Sequence, residues 1–593
     1  MQAEMSHHSG PENATNPPHI GNQGQAIRDR ITQALLRASE KDCNDSRNRF
    51  IPRAALIEII NIEEVGEILN AREDADRWQD VAQDICPAHQ GCACGWRYCT
   101  GRRMIFATLL LCRREELMLS RFYLGNPQLC DKDLPLNSDF FNSTDLNVSA
   151  RERELFIYTQ WQVYTPFLTE FGTGNNQAVE ELPMEVSLPW REKARIGKPI
   201  LGEVSYVERI EIYPDSHDLD SDQVFALKTF EQRLAAGLSE EKFQLEVQAN
   251  DDAPRHNRIV RLLSAFAYRD RYYLLFPFAN EGSLEKLWKS YTPDGVIQHV
   301  TPVRVADWYS DEWLLGECLG IAEALVATHN LADDHLERTN ALLHADIKPE
   351  NILCFRDSGS DQFSIPVVLK LADFGEARRF EPNEDLKASK VAHVKTYRPP
   401  EHYPGSLITL NYDVWCLGCL FLDFVTWAIL GQDGIDSFRK MREEEEDDPA
   451  VTEAPGQLIE DTFFKIVKQE PTPFLFNRLR WGCNRKLKVE SRRATMRYSL
   501  WAGSHVNISS RVRDAVISHL RALQQHGRCS DQLKQVLLFV GEKMLVVDPG
   551  ERASSLEVYV WFDDTDHIIF KGQESWKTIC KSSSAFAKSA DKV

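Results

Sequence analysis

The run His344-Ala345-Asp346-Ile347-Lys348-Pro349-Glu350-Asn351-Ile352-Leu353, followed by Leu371-Ala372-Asp373-Phe374-Gly375, constrains this chain more than any other feature. An acid, an amine, an amide and a second acid (Asp346, Lys348, Asn351 and Asp373) stand at fixed spacings beside apolar, strand-like residues. Singly, each acid would be an ordinary surface residue. Together they describe polar loops set among buried strands, and coincidence is a poor account of them.

These runs resemble the catalytic loop and the metal-binding loop of the eukaryotic protein-kinase superfamily. Phosphoryl transfer needs an oriented hydroxyl, divalent cations across the phosphates and fixed positive charge. The resemblance implies Asp346 as the base toward a substrate hydroxyl and Lys348 beside the transferring phosphate. Asn351 and Asp373 would offer hard oxygen ligands to Mg²⁺ or Mn²⁺, with His344, Phe374 and Gly375 completing the motifs. Upstream, Phe225-Ala226-Leu227-Lys228 resembles the strand whose lysine holds the α- and β-phosphates of ATP. Its acidic partner is expected to be Glu246, with Glu240 and Glu241 as competitors, from the distance to His256-Asn257-Arg258-Ile259-Val260. Val204 and Ala226 would lie above the adenine and Leu353 below it. Phe276 would be the gatekeeper, with Phe278 and Ala279 along the hinge. Gly197 and Gly202 fit the glycine-rich loop of Ile196 to Val204, but Pro199 replaces its middle glycine. Proline has no N–H and a fixed φ, so one phosphate contact is lost.

Three further stretches resemble parts specific to protein kinases. Tyr397-Arg398-Pro399-Pro400-Glu401 resembles the A-P-E segment, and Asp413-Val414-Trp415-Cys416-Leu417-Gly418 a buried helix whose aspartate fixes the catalytic loop. Arg552 stands where an arginine pairs with that glutamate, here Glu401. Lys348 two residues after Asp346 is the serine/threonine pattern, and Thr396 is expected beside the catalytic aspartate. Ala345 replaces the arginine that ordinarily receives an activation-loop phosphate, so phosphorylation of Ser389 or Thr396 has lost one docking charge. The implied function is ATP- and Mg-dependent phosphorylation of serine/threonine on protein substrates. The alternative is a pseudokinase scaffold, favoured by Pro199 and Ala345 and opposed by intact Lys228, Asp346, Asn351 and Asp373.

The expected fold is α+β: a bilobal kinase-like domain over 190–570, with a small β-rich N-lobe (190–280) and a large helical C-lobe (281–570). An insertion is expected at 431–535, carrying the acidic run Arg442 to Asp448 and a basic stretch over 478–497. Ahead lie a disordered lead (1–23), a mostly helical domain (24–150) and a bridge (151–189); a flexible tail (571–593) ends the chain. This arrangement resembles uncharacterised filamentous-fungal kinase-domain proteins. The N-terminal domain offers no clue to its own partner.

Lys plus Arg total 69 against 89 Asp plus Glu, a formal charge of −20 that argues against nucleic acid as a partner. No run reaches the ~18 apolar residues of a spanning helix, so no membrane partner is expected. The polar start of the chain has no apolar signal region, which implies an intracellular, cytoplasmic or nuclear setting with reduced thiols. Cys86, His89, Cys92, Cys94 and Cys99 cluster within fourteen residues. Their spacing lacks the pairs of a familiar zinc finger, which favours free thiols over a metal site.

Overall fold

The structure, a computed structural model, describes residues 22–70, 78–87, 92–115, 117, 129–143, 148–171, 179–196, 205–219, 224–231, 238–293, 304–306, 308–330, 341–356, 367–380, 386, 396–402, 407–445, 461–468, 496–497 and 507–569. They form two compact units. One takes the described residues of Met1–Glu231 with Leu263–Leu275, the other those of Gln232–Leu262 with Phe276–Val593.

The first unit opens with helices α1 (Asn22–Ala38), α2 (Arg53–Ile59), α3 (Ile62–Asn70), α4 (Trp78–Ile85), α5 (Arg103–Leu111), α6 (Ser138–Ser143) and α7 (Ala150–Thr159). A short pair, β1 (Glu40–Lys41) and β2 (Arg49–Phe50), follows α1. Helix α5 is apolar on every side, with Met104 to Leu110 all buried, so it must sit at the centre of its bundle. Leu35, Leu56, Val65 and Ile85 pack in the same core. A capping box starts α7: the Ser149 hydroxyl accepts the Glu152 N–H, and the Glu152 carboxylate accepts the Ser149 N–H at 3.0 Å. Within 151–189, Phe156 and Val163 belong to this helical core, while Leu168, Leu182, Val186 and Leu188 belong to the next one.

That next core lies against a six-stranded sheet ordered β3-β7-β8-β6-β5-β4. Its strands are β3 (Glu180–Glu181), β4 (Trp190–Arg195), β5 (Ser205–Ile212), β6 (Val224–Glu231), β7 (Ser264–Tyr268) and β8 (Arg271–Pro277). Strand β6 pairs antiparallel with β5, Lys228 opposite Val207 and Ala226 opposite Arg209. Phe225 and Leu227 are fully buried, whereas Ala226 and Lys228 are half-buried on the other face, as the two-residue period of a strand requires.

The second unit begins with α8 (Leu238–Asp252), followed by β9 (Gly282–Ser283), α9 (Leu284–Ser290), the parallel pair β10 (Tyr291–Pro293) and β11 (Arg304–Ala306), and α10 (Asp311–Thr328). The Ser310 hydroxyl caps α10 by accepting the Trp313 N–H at 3.1 Å. Four short strands come next: β12 (Ala341–Leu343), β13 (Ile352–Phe355), β14 (Val368–Leu371) and β15 (Arg378–Phe380). The unit then runs through α11 (Asn411–Glu444), β16 (Phe464–Lys468), β17 (Met496–Arg497), β18 (Asn507–Val512), α12 (Asp514–Gln525), α13 (Asp531–Phe539) and α14 (Ser555–Ile569).

Helix α11 qualifies its membrane expectation. Among the described residues it is the one helix long and apolar enough to cross a bilayer, but 94% of its apolar window is buried inside the protein. It is a core helix, interrupted where Gly431 takes a φ of 70°. The described parts of 431–535 are built into the same core: Ile435, Phe438, Phe463, Phe464, Val516 and Leu523 pack with Trp415 and Phe424. Of the acidic run, Glu443 and Glu444 end the helix as expected for a solvated terminus, but Arg442 is buried. Its guanidinium lies 4.1 Å from the Phe438 ring centre and 4.2 Å from that of Phe463, and its Nε donates to the Asp461 carbonyl. The basic stretch lies outside the described residues except for the backbone of Met496–Arg497.

Candidate active site

Two antiparallel ladders hold the two motif loops side by side in the second unit. Strand β12 pairs with β15 and β13 with β14, placing Leu343 opposite Arg378 and Ile352 opposite Leu371. The loop 344–351 therefore leaves one ladder and enters the other, and the loop 372–377 does so in reverse. The Ala372 N–H donates to the Asn351 carbonyl at 2.9 Å. The His344 ring joins the loops further. Its Nδ1 accepts the Asp346 N–H at 3.3 Å, which leaves Nε2 to donate to the Ala372 carbonyl at 3.1 Å. Its face packs near Phe374, ring centres 4.9 Å apart.

Asp346, Lys348 and Asn351 form one constellation. Lys348 Nζ donates to both carboxylate oxygens of Asp346, at 3.0 and 2.8 Å. Asn351 Nδ2 donates to Asp346 Oδ2 at 2.7 Å and to the Asp346 carbonyl at 2.9 Å. Both amide hydrogens are thus used within the loop, leaving Asn351 Oδ1 as the oxygen it can offer a cation. Burial works against the charge on Lys348, but the adjoining Asp346 carboxylate, with Glu350 and Asp373, outweighs it and holds the ammonium above the usual lysine pKa. Asp373 takes a left-handed conformation, φ 63°, and its Oδ1 accepts the Gly375 N–H at 3.3 Å. Among residues with a Cβ, short acidic and amide side chains that bond nearby backbone tolerate this region best. The set of two acids and one amide oxygen suits a hard divalent cation.

Ala345 is also left-handed, φ 64°, and fully buried. For a residue with a Cβ this costs about 1–2 kcal/mol. Asp413, fully buried at the start of α11, offsets it: Oδ2 accepts the His344 N–H at 2.8 Å and Oδ1 the Ala345 N–H at 2.9 Å. Hydrogen bonds to a charged acceptor contribute about 1.5–3 kcal/mol each, so the aspartate decides the loop's shape. Sequence reasoning missed its other support. His329 bonds Asp413 Oδ2 through Nε2 at 3.0 Å and Ser555 Oγ through Nδ1 at 2.9 Å. Nothing in a lone histidine 84 residues upstream signals that contact.

Glu401 and Arg552 meet as expected. Two parallel bonds of 2.7 and 3.0 Å join them, with both side chains fully buried. The Thr396 hydroxyl donates to Asp461 Oδ1 at 2.8 Å, which ties it to the segment before β16. The neighbouring Tyr397 hydroxyl donates to the buried Asp423 at 2.6 Å, another contact the sequence did not reveal. A cavity of about 220 Å³ reaches Lys348, Glu350, Thr396 and Tyr397, with Glu285 and Arg439 also on its wall.

Of the remaining expected residues, Glu246 is buried on α8 while Glu240 and Glu241 are exposed. Helix α8 is registered beside the metal loop because Val260 N–H donates to the Leu371 carbonyl and Leu371 N–H to the Arg258 carbonyl, both at 2.8 Å. A Cβ on Gly375 would sit 3.0 Å from Glu246 Oε2, so glycine there leaves room for the acid. Leu353 is on β13, half-buried, and Phe276, Phe278 and Ala279 follow from the end of β8. Ala226 and Lys228 belong to the first unit. Gly197, Pro199, Gly202, Val204 and Ser389 lie outside the described residues.

A model of the protein kinase domain matches residues 215–559, more than half of the chain. The chain belongs to the protein kinase family. Its kinase domain is similar to the Aurora kinase of Yarrowia lipolytica, 28% identical over 207 residues that make up 35% of this chain and 46% of the relative. An Aurora kinase of Schizosaccharomyces pombe is 27% identical over 257 residues, 42% of this chain and 61% of the relative. The stress-activated protein kinase JNK of Suberites domuncula is 24% identical over 192 residues, 28% of this chain and 50% of the relative. The chain thus spans about half the length of these curated relatives. A protein kinase domain uses ATP and a divalent metal as a class. The glycine-rich segment expected at 196–204 precedes the matched stretch.

Proposed function

We propose that this kinase is catalytically active and transfers the terminal phosphoryl group of ATP to serine or threonine hydroxyls of proteins. The observation that carries the reading is the bonded set Asp346–Lys348–Asn351, with Lys348 Nζ and Asn351 Nδ2 both on the Asp346 carboxylate. Asp346 accepts the hydroxyl proton of the substrate at Oδ1 or Oδ2. Lys348, held charged, stabilises negative charge on the transferred group and keeps the carboxylate aimed. Asn351 Oδ1 and the Asp373 carboxylate would hold Mg²⁺ or Mn²⁺, which when bound neutralises the phosphates. Lys228 would orient the α- and β-phosphates. Protein rather than small-molecule substrates are supported by the Glu401–Arg552 pair and by the cavity that reaches Lys348. An intracellular setting is proposed from the thiols, none of which is in a disulfide among the described residues.

The test is transfer of labelled phosphate from ATP with Mg²⁺ or Mn²⁺ to a generic protein acceptor, followed by phosphoamino-acid analysis. Wild type should label serine or threonine, and Asp373→Ala should lower the rate by at least ~10²-fold. Equal background signal from both would leave the scaffold reading in its place.

A further inference from the structure

Four cysteine sulfurs converge in the first unit, far from any role in phosphoryl transfer. Cys92, Cys94, Cys99 and Cys130 place their Sγ atoms all within 4.8 Å of one another. The group differs from the one the spacing suggested. Cys86 is not in it, donating its thiol instead to the Ile60 carbonyl at 3.3 Å; His89 lies outside the described residues; and the fourth sulfur comes from the segment before α6. We propose that these four cysteines form a structural zinc site that staples the loop 92–102 to the segment 129–133.

Three arguments favour a metal over four idle thiols. Tetrahedral Zn²⁺ with Zn–S bonds of about 2.3 Å sets its sulfurs about 3.8 Å apart, so a cluster no wider than 4.8 Å needs only about 1 Å of contraction. Packing alone does not account for the gathering, because Cys92, Cys94 and Cys99 are only half-buried; Cys130 is the one core residue among them. Four thiols that mutually converge also differ from two disulfide pairs, which need closeness only within each pair.

The surroundings are built for sulfur ligands. After Cys94 the chain turns back at Gly95, φ 75°, and the Trp96 N–H then points at Cys94 Sγ at 3.4 Å. A Cβ on Gly95 would touch nothing, so the backbone turn, not lack of space, is the reason for glycine. Backbone N–H groups aimed at thiolates are the usual outer support of such centres. Cys130 is delivered by its neighbour. Asp131 accepts N–H bonds from Met104 and Ile105 at the start of α5, at 3.0 and 3.1 Å, and its own N–H donates to the Gly101 carbonyl at 2.8 Å. The loop 92–102 has no helix or strand of its own, only turns such as Gly95 N–H to Cys92 carbonyl, which is the kind of segment a metal cross-link stabilises. An all-thiolate tetrahedral set suits zinc above the harder divalent metals.

The test is metal analysis of the full-length protein purified without chelator. About one equivalent of zinc per chain is expected, falling below about a fifth in Cys94→Ser and in Cys130→Ser and staying intact in Cys43→Ser. Exchange of wild type with Co²⁺ should give the intense ligand-field bands of tetrahedral cobalt thiolate, a readout that does not depend on the variants folding. Iron in place of zinc, less than about a tenth of an equivalent of metal together with no cobalt bands, or disulfides among these four cysteines in a non-reduced digest would overturn the proposal.

Discussion

The buried Arg552–Glu401 pair offers the most quantitative test of how the second unit is held together. Both side chains are fully buried and joined by two bonds. The guanidinium does more than pair. It donates to the Asn411 carbonyl at 2.6 Å and the Val546 carbonyl at 2.9 Å, and its central carbon lies 5.2 Å from the Trp415 ring centre. Breaking a buried ion pair costs about 3–5 kcal/mol, because the remaining charge has no partner. The two variants should fall at different ends of that range. In Glu401→Leu, Arg552 keeps two carbonyl acceptors, so about 3 kcal/mol is expected. In Arg552→Met, a carboxylate and the Val546 carbonyl are left unmatched and the Asn411 carbonyl keeps only its bond within α11, so about 5 kcal/mol is expected. The double variant removes both charges, orphans only the Val546 carbonyl and takes the second donor from the Asn411 carbonyl, at about 1 kcal/mol each. It should therefore be more stable than either single variant, about 2 kcal/mol below wild type. At roughly 2 °C per kcal/mol for a domain of this size, the melting shifts are about 6, 10 and 4 °C. Tryptophan fluorescence during thermal unfolding reads them. A double variant less stable than either single, or a Glu401→Leu cost under about 1 kcal/mol, would refute the reasoning.

Asp413→Asn should lower phosphotransfer by at least tenfold and stability by about 2–3 kcal/mol, because one carboxylate oxygen becomes an NH₂ facing the donors from His344, Ala345 or His329; enzyme assay and thermal unfolding check both. His519 is buried, stacked on Phe438 at 3.9 Å and bonded to Thr426 Oγ1, and burial together with Arg442 lowers its pKa from 6.5 to about 4. The unfolded chain takes up the proton first, so stability is full above pH 6.5 and declines as pH falls from there toward 4, by about 2 kcal/mol at pH 5. Unfolding midpoints measured from pH 7 to 5 should show this slope, and His519→Gln should remove it. Phosphatase treatment should change activity by less than roughly twofold, since buried Ala345 offers no cation and the Thr396 hydroxyl is already bonded to Asp461; loss of activity after treatment contradicts that expectation.

What the sequence shows on its own is local. Asp346, Lys348 and Asn351 lie within six residues, so a single loop brings them together, and the apolar runs beside them fixed where that loop begins and ends. The Glu401–Arg552 contact spans 151 residues and was legible only through a family resemblance, not from spacing. Contacts of similar reach without such a template stayed hidden. His329 to Asp413, Tyr397 to Asp423 and Arg442 among aromatic rings are made by single residues that carry no pattern of their own. The acidic run shows the converse error. Charge in sequence predicts solvent, yet Arg442 stands at the end of a helix whose buried face it still occupies, so its guanidinium goes inward while its glutamate neighbours do not.

Cys130 makes the same point chemically. A motif is read through its spacing, and thirty residues separate this sulfur from Cys99, so no window that finds Cys92, Cys94 and Cys99 contains their fourth partner. What joins them is Asp131, whose carboxylate needs the free N–H groups at the start of α5, immediately after the Cys99–Gly101 turn. An ordinary helix-start interaction thus sets the geometry of the cluster. By the same logic Asp131→Ala should scatter the four sulfurs and lower zinc content, whereas Asp133→Ala, which loses only a bond to the Cys130 N–H, should lower it less.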